Sequence, residues 1–191
     1  MHNQLIQHIA QKVLLTQKDI DRCKDYFKPV KFGKNALVEK QDDMPNNLYF
    51  INAGYMRLFY HHENGEEVTT YIGVATHFIA SFFSFINGTK AKETIASITE
   101  CETLCISRED LRTFIQQSEN FRNFSTTIFE KAMVSHETRA NDLATLSAEQ
   151  RYRKLLESQP SIIQQVPIQY IASYLGIKPE SLSRIRKQII S

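Results

Sequence analysis

Residues 168–187 constrain this chain more than any other segment. With Ile168 as its first position, the segment meets the steric demands of a helix-turn-helix, in which two helices cross steeply through a short turn. Ile171 and Leu175 supply the apolar side chains that the first helix turns toward the second. Ala172 is small where the two helices approach closest, and Gly176 stands where the turn needs a positive φ. Ile177 plugs the angle, while Leu182 and Ile185 return apolar groups to the core. Pro179 falls in the first turn of the second helix, where a missing N–H costs nothing. The plainer reading is an αα-hairpin inside a helical bundle.

The polar residues left over separate the two readings. Glu180, Ser181, Ser183, Arg184 and Lys187 point away from the core positions of the second helix. A recognition helix presents its N-terminal half to base edges in the major groove. Arg184 suits guanine, and Glu180 can accept from cytosine N4. Ser181 or Ser183 can reach a phosphate or a base, and Arg186 and Lys187 suit phosphates. Gln169 and Lys178 are expected to contact the backbone. Glu180 has a second reading, as a helix N-terminal charge. The charge distribution agrees with a polyanion partner. The whole chain is +2, but residues 151–191 hold 7 Lys+Arg against 2 Asp+Glu, whereas residues 1–150 hold 16 against 19.

Upstream the periodicity is different. Residues 5–27 look helical, with Thr16 and Asp19 forming a capping-box-like start for residues 17–27. Residues 34–73 are dense in short alternating runs separated by turn signals. Asn64-Gly65 lies between two of these runs and predicts a hairpin of type I′, in which both residues take positive φ. Runs at 94–98 and 102–106 follow, and together the short strands point to a sandwich or jelly-roll barrel. Helical periodicity returns at Ser107, which can cap Arg108–Gln117. A longer helix is expected over about 120–145. Phe121, Phe124, Ile128, Ala132 and Ser135 lie on one face of it, and Phe129, Met133, His136, Ala140 and Leu143 on an adjacent one. One stripe can cover the barrel while the other meets a second copy of the chain. Ser147 and Gln150 form a capping box for a further helix, and 158–167 reads as a connector.

Some classes are disfavoured. The start lacks the basic and apolar regions of a signal peptide. The three cysteines, Cys23, Cys101 and Cys105, include no CxxC, which points to reduced thiols and a cytoplasmic protein. They are too few for an iron–sulfur cluster, and no Cys/His cluster has zinc-ligand spacing. No metal and no cofactor is expected. His61 and His62 are adjacent, so on a strand they face opposite sides and do not make the pair a cupin-type metalloenzyme needs. No catalytic motif stands out, and no stretch is long and apolar enough to span a bilayer.

As a whole the chain resembles the Crp/Fnr family of transcription regulators, typified by the cyclic-AMP receptor protein and the fumarate-nitrate regulator. Residues 171–177 and 180–185 carry the most specific part of the resemblance. It implies an α+β fold with three parts. Residues 1–118 would be a cyclic-nucleotide-binding-like β-roll sensor, 119–145 a dimerisation helix, and 146–191 a winged-helix-like helix-turn-helix. The few residues after Lys187 are too short for the β-hairpin wing. The implied partners are double-stranded DNA, a second copy, RNA polymerase and an unidentified small effector, with no membrane. Glu180, Ser181 and Arg184 fall on the family's base-reading positions. The sensor departs from the family's nucleotide binders. Ala80 replaces the cassette glycine, Ser81 replaces the ribose-binding glutamate, and Lys92 beside Glu93 stands where an arginine is needed. Cyclic AMP is therefore not the expected ligand. A pocket, if formed, is expected around Phe78, Ala80, Ser81, Phe82, Phe83, Phe85 and Lys92. The competing reading is a ligand-binding or protein-interaction module that has lost DNA binding.

Overall fold

The computed structural model describes residues 1–190. Two helices open the chain, α1 (His2–Ala10) and α2 (Gln17–Tyr26). Thr16 caps α2 through the expected box, its side chain accepting from the Asp19 N–H while Asp19 accepts from the Thr16 N–H. Eight strands follow, with one helix among them. They are β1 (Lys28–Phe32), β2 (Leu37–Glu39), β3 (Asn47–Ala53), β4 (Met56–His61), β5 (Glu67–Gly73), β6 (Phe78–Ile79), β7 (Thr94–Ser97) and β8 (Cys101–Ser107). The helix, α3 (Phe82–Asn87), lies between β6 and β7.

The strands build two antiparallel sheets of four, in the orders β1-β8-β3-β6 and β2-β7-β4-β5. The β4–β5 hairpin forms where Asn64-Gly65 predicts it, but not as a type I′ turn. Gly65 has φ +82°, whereas Asn64 is not left-handed. Gly65 N–H bonds to the His62 carbonyl and His62 N–H to the Glu66 carbonyl, so a turn over 62–65 ends in a left-handed glycine.

Helix α4 (Arg108–Gln117) starts at Ser107, which accepts from the Asp110 N–H, and α5 (Glu119–Thr145) follows at once. At 27 residues α5 is about 40 Å long. Its first turns cover the roll. Phe121, Phe124 and Ile128 are buried with Phe27, Phe50, Phe78 and Phe114, and Phe114 stacks on Phe121 at 3.7 Å. These three side chains are therefore not available to a second copy, because each contributes about 1.5–3 kcal/mol by its burial within the chain. Beyond them one side of the helix is exposed, while Arg139 on the other side bonds to β5. Met133 is 64% and Val134 55% exposed, and His136 and Ala140 are exposed as well. Phe129 lies between these conditions, half-buried edge-on against Phe82.

The C-terminal part comprises α6 (Ala148–Ser158), α7 (Pro160–Gln165), α8 (Ile168–Tyr174) and α9 (Pro179–Ile190). The Ser147–Gln150 box is present at the start of α6. The connector read at 158–167 is mostly α7. Pro160 sits at the start of that helix, where it is tolerated, and Ile162 anchors it by full burial. Helix α9 continues past Lys187 to Ile190, and Ser191 lies outside the described residues.

Candidate nucleic-acid interface and sensor cavities

The turn between α8 and α9 is a Schellman motif. Gly176 has φ +68°, its N–H bonds to the Ser173 carbonyl at 3.1 Å, and the Ile177 N–H reaches the Ala172 carbonyl at 3.0 Å. Ile171, Ala172, Leu175 and Leu182 are buried together with Tyr152, Leu155, Ile162 and Val166, and Ile177 and Ile185 pack against them. Every apolar position that the sequence assigns to the motif is thus inside one small core.

The opposite side of α9 is polar and open. Glu180, Arg184 and Lys187 are exposed, with Ser181 and Ser183 half-buried beside them. Arg184 Nη2 donates to Ser181 Oγ at 3.3 Å, so the two side chains present a joint donor surface. Gln169 and Lys178 are exposed at the start of α8 and in the turn. Arg186 departs from its expected role. It turns inward, donates to the Ile163 carbonyl at 3.3 Å and lies 5.9 Å from the Tyr152 ring. It ties α9 to α7, and its stem covers apolar surface, as long basic side chains do.

Sequence reasoning missed how α8 and α9 sit on the roll. Ser173 Oγ accepts from the Thr69 N–H at 2.8 Å and donates to the Glu67 carbonyl at 2.9 Å. Arg139, on α5, donates to the Thr69 carbonyl at 3.0 Å and to the Tyr174 carbonyl at 3.2 Å. Arg57 of β4 lies between the rings of Phe59 and Tyr170, 3.8 Å from each centroid, and pairs with Glu67. Ile72 and Ile98 of the roll join the reader's own core.

In the roll, Ser81, Phe82, Phe83 and Lys92 are brought together on one cavity of about 750 Å³, against Met133 and His136 of α5. Glu93 lines the same cavity and accepts a hydrogen bond from Thr70, so an acid faces the place where a cyclic phosphate would need a cation. Lys92 Nζ lies 5.0 Å over the Phe83 ring. Ala80 and Phe85 are packed into the core, which corrects their assignment to a pocket wall. Phe78 is also buried and borders a second cavity of about 310 Å³.

The thiols do not add chemistry. Burial pushes Cys23 up to about 12 and Cys105 up to about 11, far from the thiolate range that metal binding or nucleophilic attack requires. Among the described residues no group of three or more His, Cys, Asp or Glu is placed to hold a metal ion. No helix among them is long and apolar enough to cross a membrane.

Residues 29–118 match the model of the cyclic nucleotide-binding domain family. FixK2 from Bradyrhizobium japonicum superposes with a TM-score of 0.75 at 13% identity, covering 85% of this chain and 84% of its own. CLP of Xanthomonas campestris, a c-di-GMP-responsive global regulator, gives 0.69 at 18% identity with 91% of each chain covered. The catabolite activator protein of Thermus thermophilus gives 0.59 at 17% identity, covering 96% of this chain and 86% of its own. The chain has the Crp/Fnr regulator fold. The Crp/Fnr-like architecture extends over roll, long helix and reader alike, since these matches span most of both chains. Among curated proteins none matches by sequence.

Proposed function

We propose that this chain is a cytoplasmic, homodimeric, sequence-specific DNA-binding transcription regulator and not an enzyme. One observation carries the reading: α9 turns Leu182 and Ile185 into the core it shares with α8 and leaves Glu180, Arg184 and Lys187 exposed together on the other side. Arg184, Glu180 and Ser181 would read base edges, with Ser183, Lys187, Lys178 and Gln169 toward the backbone. Arg186 is omitted because its guanidinium is already used inside the domain.

The exposed length of α5 supports dimerisation. Met133, Val134, His136 and Ala140 form an unpartnered strip on a helix far longer than the roll requires. A two-fold dimer would set two copies of α9 in successive major grooves about 34 Å apart. RNA polymerase is the further partner such a regulator would contact. The effector is not cyclic AMP, for the reasons that Ala80, Ser81 and Glu93 supply. Selection of genomic fragments by the purified protein tests the whole reading. A palindromic consensus, bound with steep salt dependence, is the expected result. Absence of enrichment together with salt-insensitive behaviour would instead favour an interaction module.

A further inference from the structure

Helix α8 is held against the rest of the chain along its length. Near its start the Tyr170 ring lies 3.8 Å from the Arg57 guanidinium of β4, which has Phe59 as its second ring and Glu67 as its ion-pair partner. One turn on, Ser173 takes up the Thr69 N–H and the Glu67 carbonyl of β5. The next carbonyl, that of Tyr174, accepts from Arg139 of α5, which also donates to the Thr69 carbonyl. Ile72 and Ile98 of the roll enter the core of the C-terminal helices themselves. Attachment to three elements, β4, β5 and α5, leaves these helices one orientation against the roll.

The covalent link is far less restrictive. Between α5 and α6 stand only Leu146 and Ser147, both in extended backbone. The ion pair across this hinge, Lys154 with Asp142, is half exposed at the lysine, and such pairs hold little. Nor does the docking mask α9. Gln169, Lys178, Glu180, Arg184 and Lys187 are all exposed with α8 in place. The contacts therefore position α9 rather than cover it.

Position matters to a dimer that reads two half-sites. One base pair more or less between them changes their separation by about 3.4 Å and their facing by about 35°. A helix pair swinging on a two-residue hinge can follow such a change, and one fixed at three elements cannot. We propose that Arg57, Ser173 and Arg139 fix the half-site spacing this chain accepts, with Tyr170 as the surface on which Arg57 bears. These are positioning residues that act through α9 and read no base. The inference rests on the DNA-binding dimer proposed above, and it needs no effector and no movement.

The test begins with selection from a random duplex library by the full chain, which yields the half-site. Duplexes with one half-site, or with two inverted half-sites whose gap is stepped by single base pairs, are then the probes, at one fixed salt concentration. The parent should prefer one gap and lose at least about tenfold one base pair to either side. Tyr170→Ala combined with Ser173→Ala should flatten that preference to within about threefold and weaken binding at the best gap, with single half-site affinity kept within about twofold. Tyr170→Phe keeps a ring against Arg57 and should behave as the parent. Unchanged half-site binding shows that α8 and α9 remain folded. If the double variant loses it, Arg139→Gln, which lies outside the helix-turn-helix, decides by the same gap series. A parent with no gap preference overturns the proposal and leaves the DNA-binding reading standing, as does a deciding variant that keeps the parent's preference. A parent that selects no paired sequence overturns that reading and the proposal with it.

Discussion

Substituting Ser173 by alanine probes the contact that holds the reader on the roll. The serine hydroxyl satisfies two backbone groups of β5, the Thr69 N–H at 2.8 Å and the Glu67 carbonyl at 2.9 Å. The two losses are unequal. Thr69 is fully buried, so its N–H would be left without a partner, at about 1–3 kcal/mol. Glu67 is exposed, water can replace the hydroxyl there, and the loss is about 0.5 kcal/mol. The docked arrangement should therefore weaken by about 1.5–3.5 kcal/mol, or roughly ten- to three-hundredfold in its equilibrium with an undocked one. Native-state hydrogen exchange reads this at the affected atom. Protection of the Thr69 amide should fall by that factor, while Phe50 and Leu104, deep in the other sheet, keep theirs. Unchanged protection at Thr69 would falsify the reasoning, since it would mean the hydroxyl is not what keeps that amide from solvent. A uniform fall at all three sites would also count against it, because the contact would then act on global stability.

Gly176→Ala forces a side chain into a left-handed backbone and brings its Cβ to 2.8 Å from Leu143 Cδ2. It should cost about 1–3 kcal/mol in thermal or urea unfolding. Arg184→Ala should cost about 1–3 kcal/mol in operator affinity and relax specificity; a variant that binds operator and random DNA as the parent does refutes its base-reading role. Met133→Glu should leave a folded monomer by light scattering, and a dimer of unchanged size would move the interface elsewhere. The Asp19 carboxylate is opposed by burial, but hydrogen bonds from Ser118, Thr16 and Asn120 hold it down at about 2. The stability it adds is complete above its ordinary value of 3.8 and is lost as the pH falls through about 2. Asp19→Asn should flatten the acid limb of urea stability in that window, by about 2 kcal/mol at most.

The helix-turn-helix is legible in the sequence because its demands are local. A positive φ, a close approach and an apolar plug each select residue types at fixed offsets, and Gly176, Ala172 and Ile177 record them. The capping boxes at Thr16 and Ser147 are legible for the same reason. What the sequence hides is contact between distant segments. Arg57 and Tyr170 stack across more than a hundred positions, and Ser173 and Arg139 look like ordinary polar helix residues until β5 is placed beside them. Arg186 reads as a surface cation since charge alone does not reveal that Tyr152 and the Ile163 carbonyl lie under it. The small cavity is hidden too, its basic lining drawn from positions 8, 77, 131 and 136. The strip on α5 is partly visible, but helical spacing cannot say where along the helix the roll stops.

Strand β5 is last in its sheet, with β4 on one side only. On the other side the Thr69 N–H, Thr69 C=O and Glu67 C=O would stand as a bare edge were they not taken up by Ser173 and Arg139. Unpaired strand edges invite addition of another strand, and proteins that carry them are prone to aggregate or to exchange segments. A roll expressed without residues 146–191 should accordingly self-associate through β5. In the intact chain, two side chains that fix the position of the C-terminal helices also act as a guard against polymerisation, and each release of those helices briefly removes the part that Ser173 supplies.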